Sequence, residues 1–199
     1  MRIVYSRPLD AACALVSGYD LDPDAQVDLE ALLPELRRAW AREGQPVLDR
    51  IFAHTGKRLP NGHHNVRLTL CDIPSSSPFG TIVNMRHALP GVTDHPVPLR
   101  YKVAVIDHEL LHRLLAGVDL SGSALLKAHS GESRRVRGHL HLFALLKAAL
   151  LDLGRTSAFE ELVRIDGRLP EPAYRRAWEI VNASSGAYLF YVEEVRRAG

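Results

Sequence analysis

Two of the ten histidines in this 199-residue chain stand four positions apart with a glutamate after the first: His108, Glu109 and His112, inside the run Val103 to Gly117, VAVIDHELLHRLLAG. Residues four apart on a helix lie one above the other on the same face, so the two imidazoles can converge on a single metal ion. Glu109, one step round from His108, can reach a water on that metal without ligating it. Two neutral imidazoles, a metal-held water and a carboxylate able to take its proton are the parts of a zinc-dependent hydrolytic centre. Val103, Ile106, Leu110 and Leu114 recur at helical spacing around the motif, and Gly117 is a natural stop.

HExxH supplies two protein ligands, whereas a catalytic zinc site usually has three and a water. Downstream candidates for the third are His129, Glu132, His139 and His141. A metzincin arrangement is excluded, because the position where it places a third His holds Val118. Glu132 lies at a spacing similar to that of the gluzincins, in the turn-like stretch HSGESRR. His139 and His141 open the expected helix Gly138 to Leu153, GHLHLFALLKAALLDL, whose apolar face carries Leu142, Leu146, Ala149, Leu150 and Leu153. His139 falls on that face, and His141 is turned about 200° from it. This helix resembles the third-ligand helix of the SprT-like metallopeptidases, in which a His is followed four residues later by Phe and then by a Leu-rich run. His139 matches the His and Phe143 the Phe, while Leu140 stands where a small residue is usual. The likeness spans Val103 to Leu153. It implies a zincin-like zinc metallopeptidase with His108, His112 and His139 as ligands and Glu109 as general base.

The elements that must position these residues are read from periodicity. Arg2 to Ser6 reads as a first strand, followed by a short helix ending at Gly18. Asp22-Pro23 starts a longer helix in which Pro34 is a potential kink, and a further helix covers Pro46 to His54. After a polar turn, Lys57 to Asn65, the alternation in Val66 to Ile73 predicts a strand. The loop PSSSPFG, Pro74 to Gly80, leads to a strand at Thr81 to Met85, and an irregular crossover then reaches the metal helix at Leu99 or Arg100. The order resembles the zincins, in which an edge strand along the cleft can pair with an extended peptide; Thr81 to Met85 is the candidate. Helices are expected again at Phe159 to Ile165, from Pro172, and in Ala187 to Arg197. In the last of these, Tyr188 or Tyr191 could donate to an oxyanion, although packing roles suit both better. The expected fold is therefore α+β, one zincin-like domain over residues 1–199 with a small mixed sheet on two central helices.

Composition narrows the remaining classes. The chain is 46% hydrophobic and 24% charged, as in ordinary globular proteins, and a net charge of +2 does not by itself argue for nucleic acid. Arg134, Arg135 and Arg137 could form a phosphate-binding rim, with a solvated loop the blander reading. Apolar runs are too short for a membrane span, and the N-terminus lacks the long apolar run of a signal peptide, so a cytoplasmic location is expected. Cys13 and Cys71 read as isolated, reduced core thiols. A peptide or protein is the expected substrate. The competing class is a non-catalytic, metal-stabilised module that binds DNA or a partner protein; closure of the metal site by a fourth protein ligand would mark it.

Overall fold

The strand segments are short and alternate, and that alternation decides their faces. β1 (Arg2–Tyr5), β2 (Asn65–Thr69) and β3 (Thr81–Asn84) pair in the order β1-β2-β3, burying Ile3, Val66, Leu68 and Val83. Both pairings are parallel, with Ile3 opposite Val66 and Leu68 opposite Val83. The expected mixed sheet is therefore corrected to a parallel one: the β1–β2 connection is made of helices and carries the chain back before β2 begins. An antiparallel element survives as a single bridge, Ser76 to Ile82, in the loop before β3. The strand expected to reach Ile73 ends at Thr69.

The computed structural model describes residues 1–18, 20–60, 64–77 and 80–198. Parts of two predicted turns, at 61–63 and 78–79, lie outside the described residues. The chain divides into two compact units, Met1–Pro46 with Asn61–Arg113, and Val47–Pro60 with Leu114–Gly199.

In the first unit, α1 (Arg7–Ser17) follows β1, and α2 (Pro23–Ala39) packs on β1. Asp22 caps α2 by accepting from the backbone N–H groups of Asp24 and Ala25 at 2.9 and 3.3 Å, with Pro23 at the first helical position. Pro34 does not divide this helix. The departure from α geometry comes later, in a π-helical turn over Trp40–Gly44, after which α3 (Gln45–Thr55) begins. Arg37 from α2 donates through Nε and Nη2 to the carbonyl of Ile3, at 3.0 and 2.8 Å, tying helix to sheet. The metal-motif helix is α4 (Leu99–Leu115). Cys13 and Cys71 form a disulfide between α1 and the segment after β2, which corrects the reading of two reduced, isolated thiols. A separation of 58 residues with no further cysteines gave no local sign of the pairing.

The second unit is helical among its described residues, with α3 from Val47 onward, α5 (Ala124–Ala128), α6 (Arg134–Asp152), α7 (Thr156–Asp166), α8 (Pro172–Val181) and α9 (Tyr188–Arg197). α6 is its axis and packs against α7, α8 and α9. It starts a turn earlier than expected, because Ser133 caps it by accepting from the Val136 N–H at 3.2 Å; the arginine run is its first turn and not a loop. Every residue from Leu140 to Leu150 is buried, so α6 is covered all round instead of along one stripe. Phe143 stacks on Trp178 with ring centroids 4.0 Å apart, and the Trp178 indole N–H donates to Asp166 at 2.8 Å. Among the described residues, no helix is long and apolar enough to cross a membrane.

Candidate metal centre

α4 carries His108, Glu109 and His112, and the i,i+4 spacing does what it predicts: the two Nε2 atoms stand 3.0 Å apart. A tetrahedral ion with Zn–N bonds of about 2.0–2.1 Å separates its nitrogens by roughly 3.3 Å, so this pair is set for one metal. The ligand atoms of His108, His112 and His139 all lie within 4.8 Å of one another, close enough to hold one ion. Of the four candidates for a third ligand, His139 is the one that joins the pair.

The packing of His139 suits that role. Its Nδ1 is 2.6 Å from the carbonyl of Arg135, one turn back on α6, to which it donates as Nδ1–H; the lone pair is then on Nε2. Its ring packs edge-on to Tyr174 of α8 at 4.7 Å and beside Phe143 at 5.3 Å. Burial lowers its pKa and keeps the imidazole neutral, the form a metal needs.

The other candidates are engaged elsewhere. Glu132 accepts from Nε and Nη2 of Arg176 at 2.9 and 2.7 Å. His141, on the opposite side of α6 from His139, donates through Nε2 to Glu194 at 2.9 Å and packs on Tyr191 at 5.2 Å. Burial opposes the charge on Glu194, but hydrogen bonds from Ser123, His141 and the Leu125 N–H outweigh it and lower its pKa. His129 is not part of the three-His group. Tyr191 is thus core packing against His141, and Tyr188 covers the Lys147 ammonium at 4.5 Å. Arg135 of the expected basic rim is paired with Glu171.

Glu109 is almost fully buried, at 4% exposure. Burial pushes its carboxyl up to about 7, against the pull of a hydrogen bond from the Ser77 hydroxyl. Asp107, on the other side of His108 in the chain, is buried and accepts from the Trp40 indole N–H at 3.3 Å. The π-helical turn makes room for that contact: a Cβ on Gly44 would lie 2.6 Å from the Trp40 ring and 3.1 Å from the second Asp107 oxygen. Lys102, two turns before Glu109 on α4, is buried with its pKa lowered by desolvation to about 8, and donates to the Asn84 carbonyl at 2.7 Å. Ser77, Lys102 and the Trp40–Asp107 pair escaped sequence reasoning, because each acts across segments distant in the chain.

β3 is the edge strand the sequence predicts, and its outward backbone groups are engaged. Ile82 exchanges both backbone bonds with Ser76, at 2.8 and 3.0 Å. The Asn84 N–H donates to Ser75 Oγ at 3.1 Å, and the Asn84 carbonyl takes the Lys102 bond. An extended peptide can pair with Ile82 and Asn84 only by displacing these partners.

Compared with protein-family models, curated proteins and solved structures, the chain matches none.

Proposed function

We propose that the protein is a zinc-dependent peptide hydrolase with a zincin-like centre, in which His108, His112 and His139 hold the metal and Glu109 is the general base. The observation that carries this reading is the convergence of three histidine ligand atoms within 4.8 Å, with the buried Glu109 adjacent to one of them in the chain. The donor set fits zinc: three imidazoles, one of them, His139, held in its tautomer by the Arg135 carbonyl. Glu132 and His141, the residues expected to close a structural site, are bonded to Arg176 and Glu194, which supports an open fourth position.

Zinc in such a site supplies a Lewis acid for the scissile carbonyl and makes water nucleophilic near neutral pH. The Glu109 carboxylate accepts a proton from the attacking water and returns it to the departing amine.

The test joins metal analysis of the purified protein with hydrolysis of a mixed peptide library read by mass spectrometry. The expected result is about one zinc per chain and cleavage that is lost in Glu109→Gln with zinc retained. Full zinc content with no cleavage of any peptide would leave a metal-stabilised module as the better description.

A further inference from the structure

We infer that Tyr174 is a positioning residue for His139, its ring forming a wall that fixes the plane of the imidazole and so the direction in which Nε2 meets the metal. The inference rests on the reading of His108, His112 and His139 as ligands of one ion. Rotation about the last torsion of a histidine is soft, so the helix that carries it does not set the ring plane. The bond from Nδ1–H to the Arg135 carbonyl, at 2.6 Å, pins one atom of the ring and selects the tautomer, but the plane can still hinge about that atom. Two rings limit this motion. Phe143 lies beside the imidazole, with centroids 5.3 Å apart and planes at 49°, and Tyr174 packs across it at 4.7 Å and 68°. Phe143 is one turn further along α6 and moves with His139, whereas Tyr174 comes from α8 and holds the imidazole against a second element.

Tyr174 can serve as a wall because α8 is held in register. His139 and Phe143 are four apart on α6, and Tyr174 and Trp178 are four apart on α8, so each pair stands on one face and the two helices meet rung by rung. One rung is His139 with Tyr174; the other is Phe143 stacked on Trp178, centroids 4.0 Å apart and planes 3° from parallel. Tyr174 also meets Phe143 diagonally, at 5.9 Å. The Phe143–Trp178 rung is fixed from behind, since the indole N–H donates to buried Asp166 of α7 at 2.8 Å and Phe159 packs edge-on to the same indole at 5.7 Å. The first turn of α8 is tied as well: Glu171 caps it by accepting from the Ala173 N–H at 3.2 Å and pairs with Arg135, whose carbonyl holds His139. Trp178 is fully buried and Tyr174 half-buried, so the rung that sets the register lies in the core and the rung that meets the imidazole lies toward its edge.

The experiment compares wild type with Tyr174→Phe, which keeps the ring, and with Tyr174→Leu and Tyr174→Met, which remove it; with two such variants, failure of one to fold leaves the other. Zinc affinity is measured against a competing chelator, the absorption spectrum of the Co2+-substituted protein reports the geometry of the ligands, and crystals of the metal-free protein show the His139 ring. Tyr174→Phe should match wild type in all three. Tyr174→Leu and Tyr174→Met should bind zinc about 10-fold more weakly, the low end for loss of a partner outside the ligands themselves, with an altered Co2+ spectrum and a rotated imidazole. In a His139→Ala background Tyr174→Leu should cost no further affinity, because Tyr174 acts only through His139. The metal-free crystals judge Tyr174 even if the protein binds no zinc, so failure of the metal reading and failure of this one are separate results. Wild-type affinity and spectrum in the ring-removing variants, an unrotated His139 in their crystals, weakening by Tyr174→Phe as large as by Tyr174→Leu, or a further loss in the His139→Ala background would each overturn the assignment.

Discussion

Glu109→Gln in the metal-free protein gives the sharpest physical test, because a carboxylate kept buried costs stability. In the folded chain, burial raises the carboxyl to about 7 from an ordinary 4.5. The unfolded chain therefore releases this proton first as pH rises, so between about 4.5 and 7 the folded state binds more protons than the unfolded one. Stability contributed by this group is fully present below the unfolded pKa and is lost as pH climbs through the folded one. At about 1.4 kcal/mol per pH unit the loss is about 3 kcal/mol. Glutamine keeps the shape and can still accept from Ser77, but has no proton to lose. We expect the EDTA-treated variant to match wild type near pH 4.5 and to exceed it by about 3 kcal/mol at pH 8, roughly 6–12 °C in Tm for a chain of this size. The assay is thermal unfolding by circular dichroism at several pH values with chelator present. A variant less stable than wild type at pH 8, or a stability difference that does not change with pH, would refute the claim that desolvation governs Glu109.

Three further outcomes are expected. Zinc affinity measured against a competing chelator should fall in His108→Ala, His112→Ala and His139→Ala by more than the roughly 10- to 100-fold typical of losing an outer-shell partner, while His141→Ala and Glu132→Ala bind as wild type; full binding by His139→Ala would remove it from the ligand set. Air-oxidised protein should weigh about 2 Da less than the reduced form through the Cys13–Cys71 bond, and reducing it should cost up to about 4 kcal/mol for a cross-link spanning 58 residues; two free thiols on alkylation under non-reducing conditions would contradict the pairing. Gly44→Ala should destabilise by about 1–3 kcal/mol, since its Cβ meets the Trp40 ring at 2.6 Å; wild-type stability would show that the indole has room to move.

What was legible in the sequence is what depends on short-range periodicity. His108 and His112 converge because four residues make about one turn, and His139 and His141 part because two residues make a little over half a turn. α6 begins earlier than its apolar run, because Ser133 caps a first turn in which three arginines surround a single apolar residue, Val136. Contacts between distant segments leave no periodic trace. Nothing near Ser77 announces Glu109, and nothing near Trp40 announces Asp107; the π-helical turn that seats the indole depends on a glycine that could equally have ended a helix. The all-parallel sheet was missed for a related reason, since alternation reports which face a residue takes and says nothing about strand direction.

The braced segment alongside β3 also bears on how this protein behaves in concentrated solution. A strand at the rim of a sheet is a template on which another chain can add, and Thr81–Asn84 is short, mostly buried and free of charged side chains. With Ile82 bonded to Ser76 and Asn84 bonded to Ser75 and Lys102, that template is already occupied by its own chain. Loosening the serine segment, for instance with Ser76→Pro, which removes the N–H that bonds Ile82, would expose the template while most of the helical structure stays folded. Self-association of such a variant should begin at temperatures below the main unfolding transition, where light scattering rises before helical circular dichroism is lost.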